Sequence, residues 1–368
     1  MSLPAILNPM KKKTVVVGMS GGVDSSVSAL LLKEQGYNVI GMFMKNWDEK
    51  DSLGICTSTQ DSIDAATVCQ QLDIPYYPVN FVQEYWDSVF THFIEELKLG
   101  STPNPDILCN REIKFKVLLA KALSLGADFL ATGHYAQINP TTFELAKGLD
   151  PNKDQSYFLY TLQAPLLNKI LFPIGHLEKT EVRRIAKAHQ LATSEKKDST
   201  GICFIGKRNF KEFVSQYIAY QKGNFETLKG VIVGKHEGFA YYTIGQRKGL
   251  GVGGPGEAWF VVGKDPSRNV VYIEQGEDHP ALYASNLTAT EMSWVAGHPP
   301  TLPLQCSAKI RYRQADQDCI IEKMEGDRIF VRFLEPQRAI TPRQAIVFYQ
   351  GTICLGGASI SSCVTSRN

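Results

Sequence analysis

The stretch Thr14-Val15-Val16-Val17-Gly18-Met19-Ser20-Gly21-Gly22-Val23-Asp24-Ser25 decides the fold of the first half of this chain. Its apolar beginning predicts a strand, its glycines predict a turn, and residues 26–35 predict an amphipathic helix closed by Gly36. Such a turn points backbone N–H groups and a helix N-terminus at one spot, which suits phosphate or pyrophosphate. No lysine follows the glycines, so this is not the loop that binds β- and γ-phosphates through a lysine. An ordinary tight turn is the alternative, but the flanking strand and helix favour a nucleotide site.

Strands and helices alternate beyond this loop through the first half of the chain. We predict strands at 39–44, 76–81 and 128–132, and helices at 61–72, 86–97, 110–125 and 180–191. Repeated strand–helix–strand units predict an α/β domain, a parallel sheet with helices on both faces. Ligands of such sheets bind beyond the carboxyl ends of the strands, so we expect the glycine turn, Met44 and Gly133 at one edge.

The second half reads as short strands separated by Gly and Pro turns, after a predicted helix at 209–220. We predict strands at 230–233, 239–244, 259–262 and 270–274, and then at 305–313, 318–324, 328–333 and 345–349. A small β-rich central domain followed by a C-terminal antiparallel β-barrel accounts for this pattern. The expected domains are 1–207, 208–282 and 283–368. The run Gly249-Leu250-Gly251-Val252-Gly253-Gly254 matches a dinucleotide fingerprint, but no predicted helix follows it, so we interpret it as a flexible loop.

The bulk composition is that of a soluble globular protein. The chain has 368 residues, 43% hydrophobic and 21% charged, and a net charge of +2 that neither requires nor excludes a nucleic acid. No apolar run approaches the roughly 18 residues of a membrane span. The apolar residues at the N-terminus precede the lysines, the reverse of a secretory signal. We expect a cytoplasmic protein with no membrane contact.

Eight cysteines are too few for a disulfide scaffold, and no two form Cys-x-x-Cys, so we expect no structural zinc. In a reducing compartment most of them should be buried apolar thiols. That prediction applies to four cysteines in helix-like or strand-like runs: Cys69, Cys306, Cys319 and Cys354.

Two further cysteines are candidates for chemistry. Cys109 follows the proline-rigidified loop 102–108 at the start of a predicted helix, where the helix N-terminus and nearby cations would stabilise a thiolate; the cations are Arg111 and Lys114. Asp106 is either a helix cap or a general acid–base, and the sequence alone favours the cap. Cys203 lies in the glycine-bounded loop 196–206, which has a basic entry. Each cysteine alone is a weak candidate.

The motifs together resemble a known family. Ser20-Gly21-Gly22-Val23-Asp24-Ser25 resembles the signature of the PP-loop ATP pyrophosphatases, which cleave ATP between the α- and β-phosphates. Four further blocks follow in order: 104–110, 131–135, Asp150 with 152–158, and 198–204. With them, essentially the whole chain resembles the bacterial tRNA-specific 2-thiouridylases (tRNA-uridine 2-sulfurtransferases). This resemblance implies an adenine-nucleotide-hydrolase-like first domain, ATP with Mg²⁺ carried by the nucleotide rather than by a protein metal site, a tRNA substrate and a sulfur-donor protein.

The resemblance also implies roles for individual residues. ATP is bound by Gly18, Met19, Ser20, Gly21, Gly22, Val23, Asp24, Ser25, Met44 and Gly133. The target base meets Asn104, Pro105 and Asp106, with Asp106 as acid–base, Cys109 as nucleophile and Cys203 as the persulfide carrier. The tRNA is contacted by His134, Lys153, Asp154, Gln155, Arg311, Tyr312 and Gln344.

The implied reaction is ATP-dependent 2-thiolation of the wobble uridine in tRNAs for Lys, Glu and Gln. Transfer of AMP to the C2 oxygen releases pyrophosphate, and sulfur from Cys203 then replaces that oxygen. Sulfur arrives either by direct attack of the persulfide or as sulfide freed when Cys109 attacks Cys203, and the second route leaves a Cys109–Cys203 disulfide for cellular thiols to reduce. The reactive base must leave its stack, which an anticodon loop permits. The separation of the two cysteines predicts a mobile Cys203 segment.

Plainer interpretations stand beside these roles. His134-Tyr135 would otherwise be a satisfied helix or strand end, and Lys153-Asp154-Gln155 a solvated loop. Arg311-Tyr312-Arg313 alternates along a predicted strand, which places both arginines on one face, either solvated or in contact with nucleic acid. The rival functions are an amide-forming PP-loop ligase, which would not need Cys203, and a non-catalytic RNA-binding protein. We expect a monomer.

Overall fold

The computed structural model describes residues 12–48, 57–198, 209–219 and 221–365. Up to residue 198 its strands are β1 (Thr14–Met19), β2 (Asn38–Lys45), β3 (Tyr76–Asn80), β4 (Phe129–Thr132), β5 (Ala136–Ile138), β6 (Leu145–Lys147) and β7 (Ile170–Leu171). Its helices there are α1 (Val23–Glu34), α2 (Thr57–Gln71), α3 (Val82–Tyr85, Trp86–Phe90 and Thr91–Lys98 in succession), α4 (Pro105–Leu108, Cys109–Leu118 and Leu119–Ser124 in succession), α5 (Ala164–Leu167) and α6 (Lys179–Ala188). The central segments of α3 and α4 are π-helical.

The first domain is built on a parallel sheet in the order β3-β2-β1-β4-β7. Side chains of β1 alternate between two cores: Val16 packs with α3 and α4, whereas Val15 and Val17 pack with α1, α2 and α6. The predicted parallel sheet with helices on both faces is therefore confirmed. Gly18 lies in register with Met42 and Thr132, so the ends of three strands meet at one edge.

The middle domain contains α7 (Phe210–Val214) and a sheet in the order β10-β11-β8-β9, with β8 (Gly223–Glu226), β9 (Ile232–His236), β10 (Trp259–Asp265) and β11 (Val270–Gln275). Two predictions were wrong here. The apolar run 239–244 is not a strand: Phe239–Tyr241 forms a 3-10 turn whose aromatic rings pack into two cores. The helix predicted at 209–220 ends at Val214, since turns follow it.

The last domain is a closed antiparallel barrel, as predicted. Its strands are β12 (Tyr283–Trp294), β13 (Leu304–Lys309), β14 (Gln317–Glu325), β15 (Arg328–Arg338), β16 (Ala345–Gln350) and β17 (Ile353–Thr365). They pair in the order β12-β15-β14-β13-β16-β17, and β12 pairs again with β17 to close the sheet. The sequence missed β12 and β17, the two strands that close it. Alternating side chains fill the interior, among them Ile321, Val331 and Phe348.

The first domain contributes directly to the barrel sheet. The hairpin β5–β6 joins β17 through Ala146 and Ile353, so the sheet runs across the domain boundary. Beneath it, Lys309 of β13 lies 3.3 Å from a carboxylate oxygen of the buried Asp154. Both contacts fix the barrel against the carboxyl edge of the parallel sheet.

The four cysteines predicted to be apolar thiols are buried. Burial raises the pKa of Cys69 to about 11 and that of Cys354 to about 12, so both remain protonated at neutral pH. Cys306 and Cys319 face each other across β13 and β14 with their sulfurs 3.7 Å apart. Within the described ranges, no helix has the combined length and apolar character that crossing a bilayer requires.

Candidate functional site

The glycine turn forms a short, tightly bonded loop between β1 and α1. Ser25 Oγ accepts a hydrogen bond from the Ser20 amide at 3.1 Å and donates to the Gly22 carbonyl at 3.1 Å. Ser26 Oγ donates to the same carbonyl at 2.8 Å. These bonds hold the loop in shape at the N-terminus of α1, where the first amides of a helix are free to bind an anion.

Two glycines are required by close backbone approach. A Cβ on Gly133 would lie 2.8 Å from the backbone of Asp24 and Ser25, so the segment after β4 lies directly against the loop. Gly21 has φ +70°, and a Cβ there would lie 2.3 Å from the Asp61 carbonyl oxygen. Near the same edge, the buried Oδ1 of Asn46 has no hydrogen-bond partner in the described part of the chain. A cradle of close backbone with an unsatisfied polar atom fits a bound nucleotide.

A lysine that the sequence analysis missed connects the loop to a distant segment. Lys179, buried at the first position of α6, places Nζ 2.7 and 2.8 Å from the two carboxylate oxygens of Asp24. The same Nζ lies 2.9 Å from Asp198. Tyr135 also donates to Asp24, at 2.7 Å. No local sequence signal marks this lysine, because 155 residues separate it from Asp24.

Asp198 is the centre of the network. Besides Lys179, it accepts hydrogen bonds from Lys153 and Arg183, each at 2.6 Å. Burial alone would raise the pKa of Asp198, but hydrogen bonds from Lys153 and Lys179 outweigh that cost and hold the pKa well below its usual range. The glycine loop 18–25, the segment at Lys153 and the chain that leads into residues 199–208 thus share one ionised carboxylate.

The second part of the site is the first turn of α4. The helix begins at Pro105 and its cap is Asn104, whose side chain accepts from the Asp106 amide at 3.1 Å. The favoured interpretation of Asp106 as the cap was therefore wrong, because the amide two residues earlier fills that position. Burial raises the pKa of Asp106, and the charge of Lys114 offsets this only in part. Asp106 is thus a carboxyl group displaced toward its protonated form, a property of general acid–bases.

Cys109 lies one turn inside α4 rather than at its start. Its amide is already bonded to carbonyls of Pro105 and Asp106, and its side chain is only 2% exposed. Of the two cations expected beside it, Arg111 pairs instead with Glu112 at 2.7 Å. The prediction that Cys109 lies at a helix N-terminus was therefore wrong. The helix starts four residues earlier, because Asn104 caps it and Pro105 begins its first turn.

His134 lies between α4 and the glycine loop 18–25. Its Nε2 lies 3.4 Å from Lys114 Nζ and its Nδ1 lies 2.7 Å from Thr132 Oγ1. Because an ammonium only donates, Nε2 accepts and Nδ1 carries the proton. Burial and the charge of Lys114 lower the pKa of His134 well below its usual value, so the ring is neutral. The segment from Thr132 to His134 therefore contacts the glycine loop 18–25 at Gly133 and Lys114 of α4 at His134.

The predicted tRNA residues of the segment 153–155 have different surroundings. Lys153 is half-buried and pairs with Asp198. Asp154 is buried, and its Oδ1 accepts from the amides of Gly148 and Ser156 at 3.1 Å each. Gln155 Oε1 accepts from the Tyr135 amide at 3.0 Å. The solvated-loop interpretation is therefore wrong, since all three side chains are engaged within the protein.

The predicted tRNA residues of the barrel lie beyond β13. The strand ends at Lys309, so Arg311 to Arg313 form a turn and not one strand face, and Arg313 has φ 65°. Arg311 donates to the Ala339 carbonyl, and the Tyr312 ring lies 4.5 Å from that of Phe158. Gln344 donates to the Thr102 carbonyl, which places it beside the first turn of α4.

Cys203 lies outside the described residues, as does Cys56. The described chain on either side of it is well fixed. Asp198 joins the network at Lys179, and Asn209 caps α7 by accepting from the Lys211 amide at 2.9 Å. Met44 is half-buried at the end of β2, on the sheet edge predicted for it.

Comparison with known proteins places nearly the whole chain in one family. A family model described as tRNA methyl transferase HUP domain matches residues 13–207, one described as tRNA methyl transferase PRC-barrel domain matches 211–275, and one described as Aminomethyltransferase beta-barrel domain matches 284–360. The tRNA-specific 2-thiouridylase MnmA of Protochlamydia amoebophila is 64% identical over 352 residues, covering 95% of this chain and 93% of that protein. The protein of the same name from Halalkalibacterium halodurans is 58% identical over 355 residues, covering 96% of both.

Proposed function

Because this chain belongs to the tRNA-specific 2-thiouridylase family, we propose that it replaces the C2 oxygen of the wobble uridine of tRNA with sulfur, using ATP. It is a tRNA sulfurtransferase. The observation that carries the proposal is the segment Thr132 to His134, which lies against the ATP loop at Gly133 and against Lys114 of α4 at His134. A nucleotide in the loop and a base at Asn104 to Asp106 would therefore be held by one continuous piece of chain.

The ATP side of the reaction belongs to the loop from Gly18 to Ser25. Its backbone amides and serine hydroxyls would hold the phosphates, with Met44 and Gly133 beside the nucleotide. ATP, when bound, supplies the adenylyl group that turns the C2 oxygen into a leaving group, and Mg²⁺ on its phosphates offsets their charge. Lys179 and Lys153 would balance the released pyrophosphate, because both already neutralise carboxylates at that edge.

The base side of the reaction belongs to the first turn of α4. Asn104, Pro105 and Asp106 would contact the uracil ring, and Asp106 would move a proton on the base or on a thiol, a role that its raised pKa suits. Because Cys109 is 2% exposed, entry of the base must uncover it. His134 would present a neutral ring at this boundary.

Sulfur transfer then involves both cysteines. In the direct route the terminal sulfur of a Cys203 persulfide attacks C2, AMP leaves with the former C2 oxygen, and Cys109 cleaves the remaining S–S bond by attacking Cys203. In the other route Cys109 attacks Cys203 first, and the released sulfide displaces AMP. Either route ends with thiolated tRNA and a Cys109–Cys203 disulfide, which cellular thiols reduce with two electrons.

The partners follow from this chemistry. The substrates are tRNAs for Lys, Glu and Gln, and a cysteine desulfurase or relay protein loads Cys203. In this proposal residues 1–207 form the catalytic domain, 208–282 the central domain and 283–368 the tRNA-contacting barrel of a monomer. The tRNA residues are His134, Lys153, Asp154, Gln155, Arg311, Tyr312 and Gln344. Thiolation is favoured over the methyl transfer in the family-model descriptions because the relatives aligned over nearly the whole chain are named thiouridylases.

The proposal is tested by reconstitution. Purified protein, an unmodified tRNA-Lys transcript, ATP, Mg²⁺ and sulfide are incubated, and thiolated tRNA is detected by retardation in a mercury gel. We expect a retarded band that requires ATP and is lost in Cys203→Ala when a persulfide donor replaces free sulfide. Cys306→Ala, a buried cysteine of the barrel, is the matched control and should keep the band. No band with folded wild-type protein would overturn the proposal, and an active Cys203→Ala variant would favour an amide-forming ligase.

A further inference from the structure

Two arginines of the barrel converge on one loop of the middle domain. Arg311 Nη2 and Arg338 Nη1 lie 3.6 and 3.7 Å from the position that a Cβ on Gly245 would occupy. Gly245 has φ +85°, and the same Cβ would lie 2.7 Å from Cβ of Ala339. The loop therefore approaches the barrel as closely as backbone permits, directly at the two guanidinium groups.

The charge of these arginines is not neutralised by the described residues. Arg311 donates to the carbonyl of Ala339, and Arg338 Nε donates to that of Glu277 at 3.3 Å, but neither side chain has a carboxylate within ion-pair distance in the described ranges. Arg338 Nη2 is shielded from solvent and has no hydrogen-bond partner there. Burial and the adjacent Arg338 lower the pKa of Arg311. A guanidinium nevertheless stays protonated, so the pair favours an incoming anion.

The loop adds to this positive charge. Arg247 and Lys248 follow Gly245 and are exposed. The sequence from 239 to 256 contains no acidic residue. The glycine-rich run 249–254, which failed as a dinucleotide fingerprint, thus directly follows a basic loop.

The arginine pair is continuous with the site for the base. The charge of Arg311 lowers the pKa of Tyr157, although burial raises that pKa by more. The Tyr157 hydroxyl donates a hydrogen bond to the Ala345 carbonyl at 2.9 Å. The preceding Gln344 contacts the Thr102 carbonyl, two residues before Asn104. Contacts through Tyr157, Ala345 and Gln344 therefore connect the cluster with the segment that leads to the first turn of α4.

We propose that Arg311, Arg338 and the loop 245–248 form a binding site for a phosphodiester group of the tRNA backbone. The inference rests on the proposed function; the family resemblance implies tRNA contact for Arg311, whereas Arg338 and the loop are assigned here. A guanidinium offers two parallel N–H donors that match phosphate oxygens, and phosphate contacts position RNA without reading its sequence. The middle domain and the barrel thereby hold the backbone while the base lies at α4.

The test is the salt dependence of tRNA binding. The affinity of full-length protein for an unmodified tRNA-Lys transcript is measured between about 50 and 200 mM KCl for wild type, Arg338→Gln, Arg338→Lys and Arg247→Gln. The logarithm of the association constant falls as the logarithm of the salt concentration rises. Loss of one phosphate contact should make this slope shallower by about 0.7 to 1 and weaken binding several-fold. We expect this for Arg338→Gln and Arg247→Gln, with most of the slope restored in Arg338→Lys. Arg332→Gln, in the same strand but paired with Glu322 at 2.8 Å, should retain the wild-type slope.

The outcomes separate this site from the wider proposal. If wild type binds and thiolates tRNA while both glutamine variants keep its slope, the phosphate site is wrong and the proposed function stands. The same conclusion holds if Arg338→Gln raises KM for ATP with the slope unchanged, because the arginine would then serve the nucleotide. Arg247→Gln keeps the test decisive if Arg338→Gln fails to fold. Wild type that neither binds nor thiolates tRNA would instead contradict the proposed function.

Discussion

Two regions that flank the segment Thr132 to His134 differ in their electrostatics. On the phosphate side, formed by the glycine loop 18–25 with Lys179 and Asp198, carboxylates and lysines pair with one another, and hydrogen bonds hold the pKa of Asp198 well below its usual range. On the base side, formed by Asn104 to Cys109 with Lys114 and His134, burial shifts Asp106 and His134 toward their neutral forms. One side can therefore balance phosphate charge, whereas the other suits an uncharged base and a mobile proton.

This contrast matches the two steps of the proposed reaction. Paired charges beside an open loop can exchange partners with an incoming anion without leaving any charge alone. The buried carboxyl of Asp106 has only the charge of Lys114 to offset its burial, so it suits the gain or loss of a proton instead. Variants that remove charge from the phosphate side should impair ATP cleavage, while variants on the base side should impair transfer to the base.

The largest effect is expected for Asp24→Asn, which breaks the phosphate side. The amide keeps one acceptor oxygen but replaces the other with an N–H donor facing Lys179, so the network loses one acceptor and its negative charge. We expect tRNA-dependent pyrophosphate release to fall by about a thousandfold, the upper range for losing one preorganised electrostatic group. Asp128→Asn is the control, because Asp128 accepts from the Thr14 amide at 2.7 Å at the opposite edge of the sheet. If Asp24→Asn released pyrophosphate at the wild-type rate, the proposed role of Asp24 and its partners in ATP cleavage would be wrong.

Asp106→Asn should have the next largest effect, confined to the base side. The amide keeps the shape of the carboxyl but cannot transfer a proton, so we expect thiolation to fall by about a hundredfold with unchanged tRNA affinity. Mercury-gel kinetics and filter binding measure the two quantities. Asp87→Asn, on α3 beside Gln83, serves as the control. Equal thiolation rates for wild type and Asp106→Asn would show that the buried carboxyl moves no proton.

Lys114→Met should sharpen the comparison with a smaller effect. The charge of Lys114 lowers the pKa of Asp106, so its removal lets burial raise that pKa further and moves the acidic limb of the thiolation profile to higher pH. We expect a loss below about tenfold at neutral pH, recovered in alkaline buffer. Lys116 lies on the same helix, but it is exposed and pairs with Glu112. Lys116→Met should therefore leave the pH profile of thiolation unchanged. If the pH profile of Lys114→Met were identical to that of wild type, the charge of Lys114 would not control the protonation of Asp106 during thiolation.

The smallest effect concerns stability. Because burial raises the pKa of Asp106 in the folded state, its ionised form destabilises the fold above that pKa, and this cost disappears as pH falls toward the ordinary value of 3.8. Asp106→Asn should therefore melt about 2 °C higher than wild type at pH 7, with the difference narrowing on acidification. Differential scanning fluorimetry across pH measures it. If the difference in melting temperature between Asp106→Asn and wild type widened at low pH, the pKa of Asp106 would not be raised in the folded state.

Short-range features of the molecule could be predicted from the sequence. The strand–turn–helix around Gly21 depends on neighbouring residues, and the alternation of strands and helices identified the parallel sheet. The run 239–244 failed because an apolar stretch that packs into two cores has the composition of a strand without a pairing partner. The strand at Arg311 failed because the chain turns there, with Arg313 in the left-handed region.

Long-range pairing could not be predicted. Lys179 meets Asp24, and Lys309 meets Asp154, each across 155 residues, and nothing in their local sequence marks either pair. A local ambiguity concealed Asn104 as the cap, since Asp106 is an equally good capping residue by type. Charges were therefore visible in the sequence, but their partners were decided by the tertiary fold.

The division between the two sides is tested most directly by Cys109→Ser. The measurement is tRNA-dependent pyrophosphate release and tRNA thiolation in the same reaction, with a persulfide-loaded donor. Because the thiol belongs to the base side and Asp24 to the phosphate side, we predict pyrophosphate release within a few-fold of wild type and no thiolated tRNA. Loss of both activities in a folded Cys109→Ser protein, or retention of thiolation, would contradict the account.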